Sequence, residues 1–119
     1  MEKTAGYQAA LKALLERKLE SMFSDEFTRR RVQAVLQDYG SGKHAHEPER
    51  VRLAILKLAG AELRSVEKYT GYARGDYRDI LAWAEYPRQS RQRLMPQGKE
   101  KQQMIEADLA EYEGWLHDN

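Results

Sequence analysis

The sequence predicts an all-α protein, in which residues 1–119 form a single compact, bundle-like domain of five or six helices. Three observations lead to this fold class. Apolar residues recur at spacings of three and four in several segments, which places them on one face of a helix. No segment shows the sustained alternation of apolar and polar residues that is typical of a strand. A chain of 119 residues has the size of one domain.

The amino-acid composition excludes several kinds of functional site. The chain has no cysteine, which excludes disulfides, thiolate metal sites and a cysteine nucleophile. No apolar run approaches the roughly 18 residues that cross a bilayer, and the start MEKTAGYQ lacks the apolar core of a signal peptide. We therefore expect a cytoplasmic protein with no membrane partner. The formal net charge is only +1, so no basic field covers the whole chain.

Two amphipathic helices are predicted at the start of the chain. The first covers about residues 4–23. Its apolar stripe consists of Tyr7, Leu11, Leu14, Leu15, Leu19 and Met22. Ser24 or Asp25 caps the second helix, which ends near Tyr39 because Gly40 suits a left-handed C-terminal cap.

The central helix is predicted in VRLAILKLAGAEL, residues 51–63, which is apolar nearly all round and therefore buried. Pro48 suits the first turn of this helix, where its missing N–H has no intrahelical partner. Gly60 divides the segment from a following helix. The stripe of that following helix consists of Leu63, Val66, Tyr69, Tyr72 and Ala73.

A short helix over residues 76–86 follows. Asp76 stands where an N-cap acceptor belongs, and Pro87 prevents the helix from continuing. The cluster of Asp76, Arg78 and Asp79 also allows a reading as a polar ligand site or a general base. Capping with a surface ion pair is the favoured reading, because no nucleophile or metal-binding histidine lies nearby in the sequence. An enzyme that uses these carboxylates with Glu85 and a loop histidine is the least supported function.

The loop GSGKHAHEP, residues 40–48, contains two histidines. His44, His46 and Glu47 lack the i, i+4 spacing of a helical zinc motif and a convincing third ligand. The GSGK fragment lacks the full spacing of a phosphate-binding loop, because Lys43 is followed by His44. We therefore predict no metal site and no cofactor.

Residues 88–98 are expected to form a basic linker to a C-terminal helix over about residues 99–117. The apolar stripe of this helix consists of Ile105, Leu109, Tyr112 and Leu116, with Met104 and Trp115 beside it. The stripe can dock on the core of its own chain or pair with a second copy. The sequence leaves this choice open.

The leading hypothesis for function is a small interaction protein that self-associates. Trp83 lies off the apolar stripe of its helix, and aromatic residues with polar tips are typical of interfaces. A thin core, poor in large aliphatic residues, is easily supplemented by a partner surface. The predicted partner-binding residues are Trp83, Tyr86, Leu109, Tyr112, Trp115 and Leu116.

The alternative hypothesis is a nucleic-acid-binding module that uses basic patches at residues 29–31 and 88–101. Its predicted contacts are Arg29, Arg30, Arg31, Arg88, Arg91 and Arg93. Against it, the stretch from Glu106 to Asp118 contains five acidic residues and no Lys or Arg, so the second patch can be neutralised within the chain.

The segment ERVRLAILKLAGAEL…DYRDILAWAEYP, residues 49–87, resembles small all-helical bacterial proteins of uncharacterised function. The resemblance covers about a third of the chain. It implies a helical fold and brings no substrate, cofactor or catalytic residue to these positions.

Overall fold

The computed structural model describes residues 2–40 and 47–118, which form seven helices and no strand. They are α1 (Glu2–Met22), α2 (Glu26–Leu36), α3 (Pro48–Ala59), α4 (Leu63–Gly75), α5 (Tyr77–Glu85), α6 (Pro87–Ser90) and α7 (Gly98–His117). The all-α fold is therefore confirmed. The number of helices exceeds the predicted five or six, because a short helix, α6, occupies the start of the expected linker.

Helix α3 lies at the centre of the molecule, as its sequence predicts. The side chains of Val51, Leu53, Ile55 and Leu56 are completely buried. Helix α3 packs against α1, α4 and α5, and α2 packs on α4. A helix with apolar residues on almost every side is stable only with such neighbours around it.

The apolar segment at residues 51–63 divides at Gly60, where the sequence predicts a boundary. Helix α3 stops at Ala59, and Leu63 already begins α4. Gly60 adopts a φ of +66°, which ends the helix because residues with a Cβ avoid this region. The central helix therefore ends four residues before the apolar segment does.

Side-chain hydrogen bonds satisfy backbone groups at both ends of α2. The Asp25 carboxylate accepts a hydrogen bond from the backbone N–H of Thr28, which confirms the predicted cap of α2. Helix α2 ends at Leu36, three residues before the predicted end. The Arg52 guanidinium of α3 donates to the carbonyls of Leu36 and Tyr39, which satisfies acceptors that the helix end leaves free.

A partly buried ion pair joins α3 to the end of α5. The Arg50 guanidinium donates two hydrogen bonds to the Glu85 carboxylate, with Nε–Oε2 and Nη2–Oε1 distances of 2.8 and 2.6 Å. It also donates to Glu47 at 2.8 Å. This pairing raises the pKa of Arg50 above its ordinary value, mainly through the hydrogen bonds to Glu85. The Arg50–Glu85 pair therefore ties the start of α3 to the end of α5.

One buried polar group in α4 yields a prediction about stability. The Thr70 hydroxyl is buried and has no hydrogen-bond partner among the described residues. Thr70→Val replaces this hydroxyl with a methyl group of similar shape, so we expect the free energy of unfolding to rise by up to about 1 kcal/mol. Chemical denaturation measures this change.

The matched control is Thr28→Val, because the Thr28 hydroxyl donates to Asp25 Oδ2 at 2.7 Å. This variant should lower the free energy of unfolding. A loss of stability in Thr70→Val would show that the Thr70 hydroxyl has a partner and would contradict the prediction.

Candidate functional site

Trp83 is one of several aromatic residues that folding leaves partly exposed. Helix α5 buries Ile80, Leu81 and Ala84 on one face, and Trp83 lies off this face with 42 % of its surface exposed. The Trp83 ring contacts the Tyr72 ring of α4 edge-on, with 6.3 Å between centroids. Part of the apolar indole of Trp83 therefore stays in contact with water, and its partner-binding role remains a prediction.

A groove of about 310 Å³ lies on one side of Trp83. We call it the Trp83 groove; its lining includes Lys57, Trp83, Pro87, Arg88, Arg91 and Glu111. Three elements of the fold build it, since α3, the α5–α6 corner and α7 each contribute charged side chains. It brings Trp83 and two residues of the predicted nucleic-acid patch, Arg88 and Arg91, into one concave surface.

The carboxylate of Glu111 is the centre of the charges within the Trp83 groove. It accepts from Lys57 Nζ at 2.6 Å and forms an ion pair with Arg88 Nη2 at 3.4 Å. The hydrogen bond from Lys57 is the main reason that the pKa of Glu111 lies below its ordinary value. Lys57 also donates to the Ala84 carbonyl at 2.7 Å. Both cations therefore have partners, and Arg91 is the one cation of this lining without an ion pair among the described residues.

Asp108 is absent from the predicted site residues, yet it holds Arg88 of the groove lining in place. Its carboxylate is 1 % exposed and accepts from the backbone N–H groups of Arg88 and Gln89, both at 3.1 Å. It also accepts from Arg88 Nη1 and Gln89 Nε2, both at 3.0 Å. Asp108 therefore caps α6 from a distant helix. An acidic residue on the apolar side of α7 is the sequence signal that could have revealed it.

Short helix α6 corrects the prediction that residues 88–98 are all linker. Pro87 has the backbone geometry of a first helical residue, and Asp108 supplies the acceptors for the next two N–H groups. The sequence around Pro87 does not show this cap, because the capping carboxylate lies 20 residues away.

The remaining connection, residues 91–97, and the first turn of α7 are basic and exposed. We call residues 91–101 the basic connection. Its cations, Arg91, Arg93, Lys99 and Lys101, form no ion pair with any carboxylate in the described part of the chain. The expected neutralisation within the chain therefore applies to Arg88 alone. Leu94, between these cations, is 87 % exposed.

Helix α7 docks on its own chain in this structure. Leu116 is buried in the core, and the Tyr112 and Trp115 rings stack with 5.8 Å between centroids. Lys18 of α1 lies over the Trp115 ring at 4.4 Å and donates to the Trp115 carbonyl at 2.7 Å. Burial raises the pKa of Tyr112. These three residues of the predicted partner-binding set therefore contribute mainly to packing within the chain.

Leu109 is the member of the α7 stripe that packing leaves uncovered. It is 58 % exposed. Glu106 and Glu113, one helical turn away on either side, form no ion pair with a Lys or Arg among the described residues. We call Glu106, Leu109 and Glu113 the Leu109 face. It is an apolar side chain between two carboxylates.

Tyr86 follows the last residue of α5 and is 37 % exposed, so its side chain remains available at the corner before Pro87.

The arginines of the first basic patch, residues 29–31, mostly form local contacts. Arg29 donates to the Phe23 carbonyl at 3.1 Å, and Arg30 pairs with Glu26 at 2.8 Å. Of these three arginines, only Arg31 has no polar partner in the described part of the chain. The structure therefore does not bring the patch at residues 29–31 together with the basic connection into one described groove.

The carboxylates considered for catalysis do not converge. Asp76 accepts from the Arg78 backbone N–H at 3.0 Å and pairs with its guanidinium, and these contacts lower the pKa of Asp76. Glu85 lies at the other end of α5 and pairs with Arg50. The predicted cap of α5 is therefore present.

His44 and His46 lie outside the described residues. Within residues 2–40 and 47–118, no group of three or more His, Asp or Glu side chains is placed to hold a metal ion. None of the helices in these ranges combines the length and apolar character needed to span a bilayer.

No family model, no curated protein and no solved structure matches the chain.

Proposed function

We propose that this chain is a small non-catalytic interaction protein that self-associates, and that the Trp83 groove forms part of the interface. The observation that carries the proposal is the 42 % exposure of Trp83 in a groove lined by charged side chains. Tryptophan and arginine are enriched among the residues that dominate binding energy at interfaces. Covering Trp83 would remove apolar surface from water, which is the main driving force for association.

The rim of the groove supports the same proposal. Arg91 lies free beside Trp83, and the Arg88 guanidinium is held in place by Asp108 and Glu111. A guanidinium that is already oriented loses less side-chain entropy when a partner carboxylate binds. An acidic protein surface with an apolar centre is therefore the partner that fits this groove.

Single-stranded nucleic acid is the second candidate, favoured by the unpaired cations of the basic connection beside the exposed Trp83 ring. Phosphates bind free Lys and Arg side chains, and bases stack on exposed aromatic rings. Titration of a single-stranded oligonucleotide at two salt concentrations tests it. Salt-sensitive binding that weakens in Trp83→Ala would favour this candidate if the protein stays monomeric.

Self-association predicts a sedimentation coefficient that rises with protein concentration. Analytical ultracentrifugation over a dilution series measures this rise. Trp83→Ala should weaken association by at least about tenfold. Truncating a tryptophan that dominates an interface lowers the binding free energy by about 2 kcal/mol or more.

The matched control for Trp83→Ala is Phe27→Ala, which removes another exposed aromatic ring, from α2. This variant should leave the association unchanged. A wild-type protein that sediments as a monomer at every concentration would rule out self-association.

A further inference from the structure

We propose that the Trp83 groove and the adjoining basic connection of one copy bind the Leu109 face of a second copy, so that assembly is head to tail. This inference rests on the self-association proposed above and names the two surfaces that meet. One surface is aromatic and basic, and the other is aliphatic and acidic.

The charges on the basic connection and on the Leu109 face are complementary. Arg91, Arg93, Lys99 and Lys101 lack ion pairs within the described chain, and Glu100 is the one carboxylate in residues 91–101. The basic connection therefore has an excess of positive charge. Conversely, the Leu109 face has two carboxylates without a Lys or Arg partner. Opposite charges on two surfaces raise the rate of encounter and fix the register of binding.

Each of the two surfaces also has an exposed apolar side chain at its centre. Leu109 is 58 % exposed between Glu106 and Glu113, and Trp83 is 42 % exposed beside Arg91. Each surface therefore has an apolar centre, and the charges around it are mostly positive at the Trp83 groove, where Glu111 is already paired with Lys57 and Arg88, and negative at the Leu109 face. When the surfaces meet, the leucine side chain covers the indole, and the carboxylates lie near the cations at the rim. This is the usual arrangement of an interface with an apolar core and a polar rim.

The positions of the two surfaces on α7 give the direction of assembly. Glu111 lines the Trp83 groove, and Leu109 precedes it by two residues. Two residues of an α-helix turn through about 200°, so the Leu109 face lies on the opposite edge of α7 from the groove. One copy therefore cannot bring its own Leu109 into its own groove. Two different surfaces in contact give a heterologous interface, which grows into rings or chains.

Two variants test the inference. The groove variant combines Arg91→Glu with Arg93→Glu and keeps the Leu109 face intact. The face variant Leu109→Lys keeps the groove intact. All three side chains are exposed, so we expect both variants to fold, and circular dichroism verifies this. Each variant alone should self-associate at least about tenfold more weakly than the wild-type protein, because each lacks one of the two surfaces.

Mixing the two variants gives the decisive measurement. The groove of the face variant still fits the Leu109 face of the groove variant, so an equimolar mixture should form a one-to-one heterodimer. This heterodimer should not grow, because its two remaining surfaces are both altered. Sedimentation of the mixture, with one variant fluorescently labelled, distinguishes a heterodimer from separate monomers and from longer assemblies.

A matched control and two contrary outcomes complete the experiment. Arg17→Glu with Arg31→Glu changes the charge by the same amount on exposed surfaces of α1 and α2 and should leave association unchanged. A wild-type protein that associates while Leu109→Lys has no effect, or variants that fail to combine, would overturn the head-to-tail interface alone. A wild-type protein that stays monomeric would overturn both this interface and the proposed self-association.

Discussion

Asp108→Ala is expected to lower the free energy of unfolding by about 2–4 kcal/mol, as measured by chemical denaturation. The carboxylate is buried and accepts two backbone and two side-chain hydrogen bonds from Arg88 and Gln89. Its removal leaves the first turn of α6 without acceptors and leaves a cavity under the connection. Glu100→Ala, which removes an exposed carboxylate from the same helix, should change stability far less. A similar small effect for both variants would contradict the anchoring role of Asp108.

The same carboxylate predicts a pH dependence. Burial raises the pKa of Asp108, but the hydrogen bonds from Gln89 and Arg88 outweigh burial and hold it below its ordinary value. An Asp with a lowered pKa in the folded state stabilises the fold above the unfolded-state value of about 3.9. This stabilisation is lost as the pH falls through the lowered folded-state pKa. Wild-type protein should therefore lose stability below about pH 4 more steeply than Asp108→Asn.

The comparison with Asp108→Asn isolates this group, because Asp25, Asp76 and Glu111 also have lowered pKa values in the folded protein and titrate in both proteins. The measured quantity is the difference in free energy of unfolding between wild type and variant at pH 7 and at pH 3. A difference that does not shrink at acidic pH would show that the charge of Asp108 contributes nothing.

Gly40→Ala is the second substitution with a large expected effect. Gly40 has a φ of +101°, and an added Cβ would lie 2.5 Å from the Cβ of Pro48 and 2.8 Å from Arg52 Nη2. The variant therefore combines backbone strain with a clash at the point where Arg52 caps the end of α2. We expect a loss of about 2–4 kcal/mol in the free energy of unfolding, measured by thermal or chemical denaturation.

Gly71→Ala is the matched control for Gly40→Ala. Gly71 lies inside α4 with ordinary helical φ, and nothing lies within 4 Å of an added Cβ. Alanine is favoured over glycine in a helix by roughly 0.5–1 kcal/mol, so this variant should be neutral or slightly more stable. If Gly40→Ala behaved like this control, the tight approach of Pro48 to Gly40 would be wrong.

Local patterns predicted much of the helical framework. Asp25 caps α2, Asp76 caps α5, and Gly60 adopts the positive φ value that ends α3. Each of these features depends on residues within about four positions along the chain. The exposure of Trp83 could also be predicted, because the stripe of α5 excludes it.

The charged contacts between helices could not be predicted in this way. The sequence places Arg88 in the nucleic-acid patch, but Arg88 pairs with Asp108, which lies 20 residues further along the chain. No sequence pattern points to Lys18, but it is buried and donates to carbonyls at the end of α7. Neither pairing has a local signal, because each depends on how two helices lie against one another.

The stripe of α7 shows the same division within one helix. Leu109 and Leu116 belong to one apolar stripe, yet Leu116 is buried and Leu109 is 58 % exposed. By itself, the sequence determined that this side of the helix is apolar, since periodicity depends only on neighbouring turns. Only the tertiary structure decided which part of the stripe is covered and which cations remain free. The reason is that burial and ion pairing depend on distances between helices, and these are settled only when the whole chain packs.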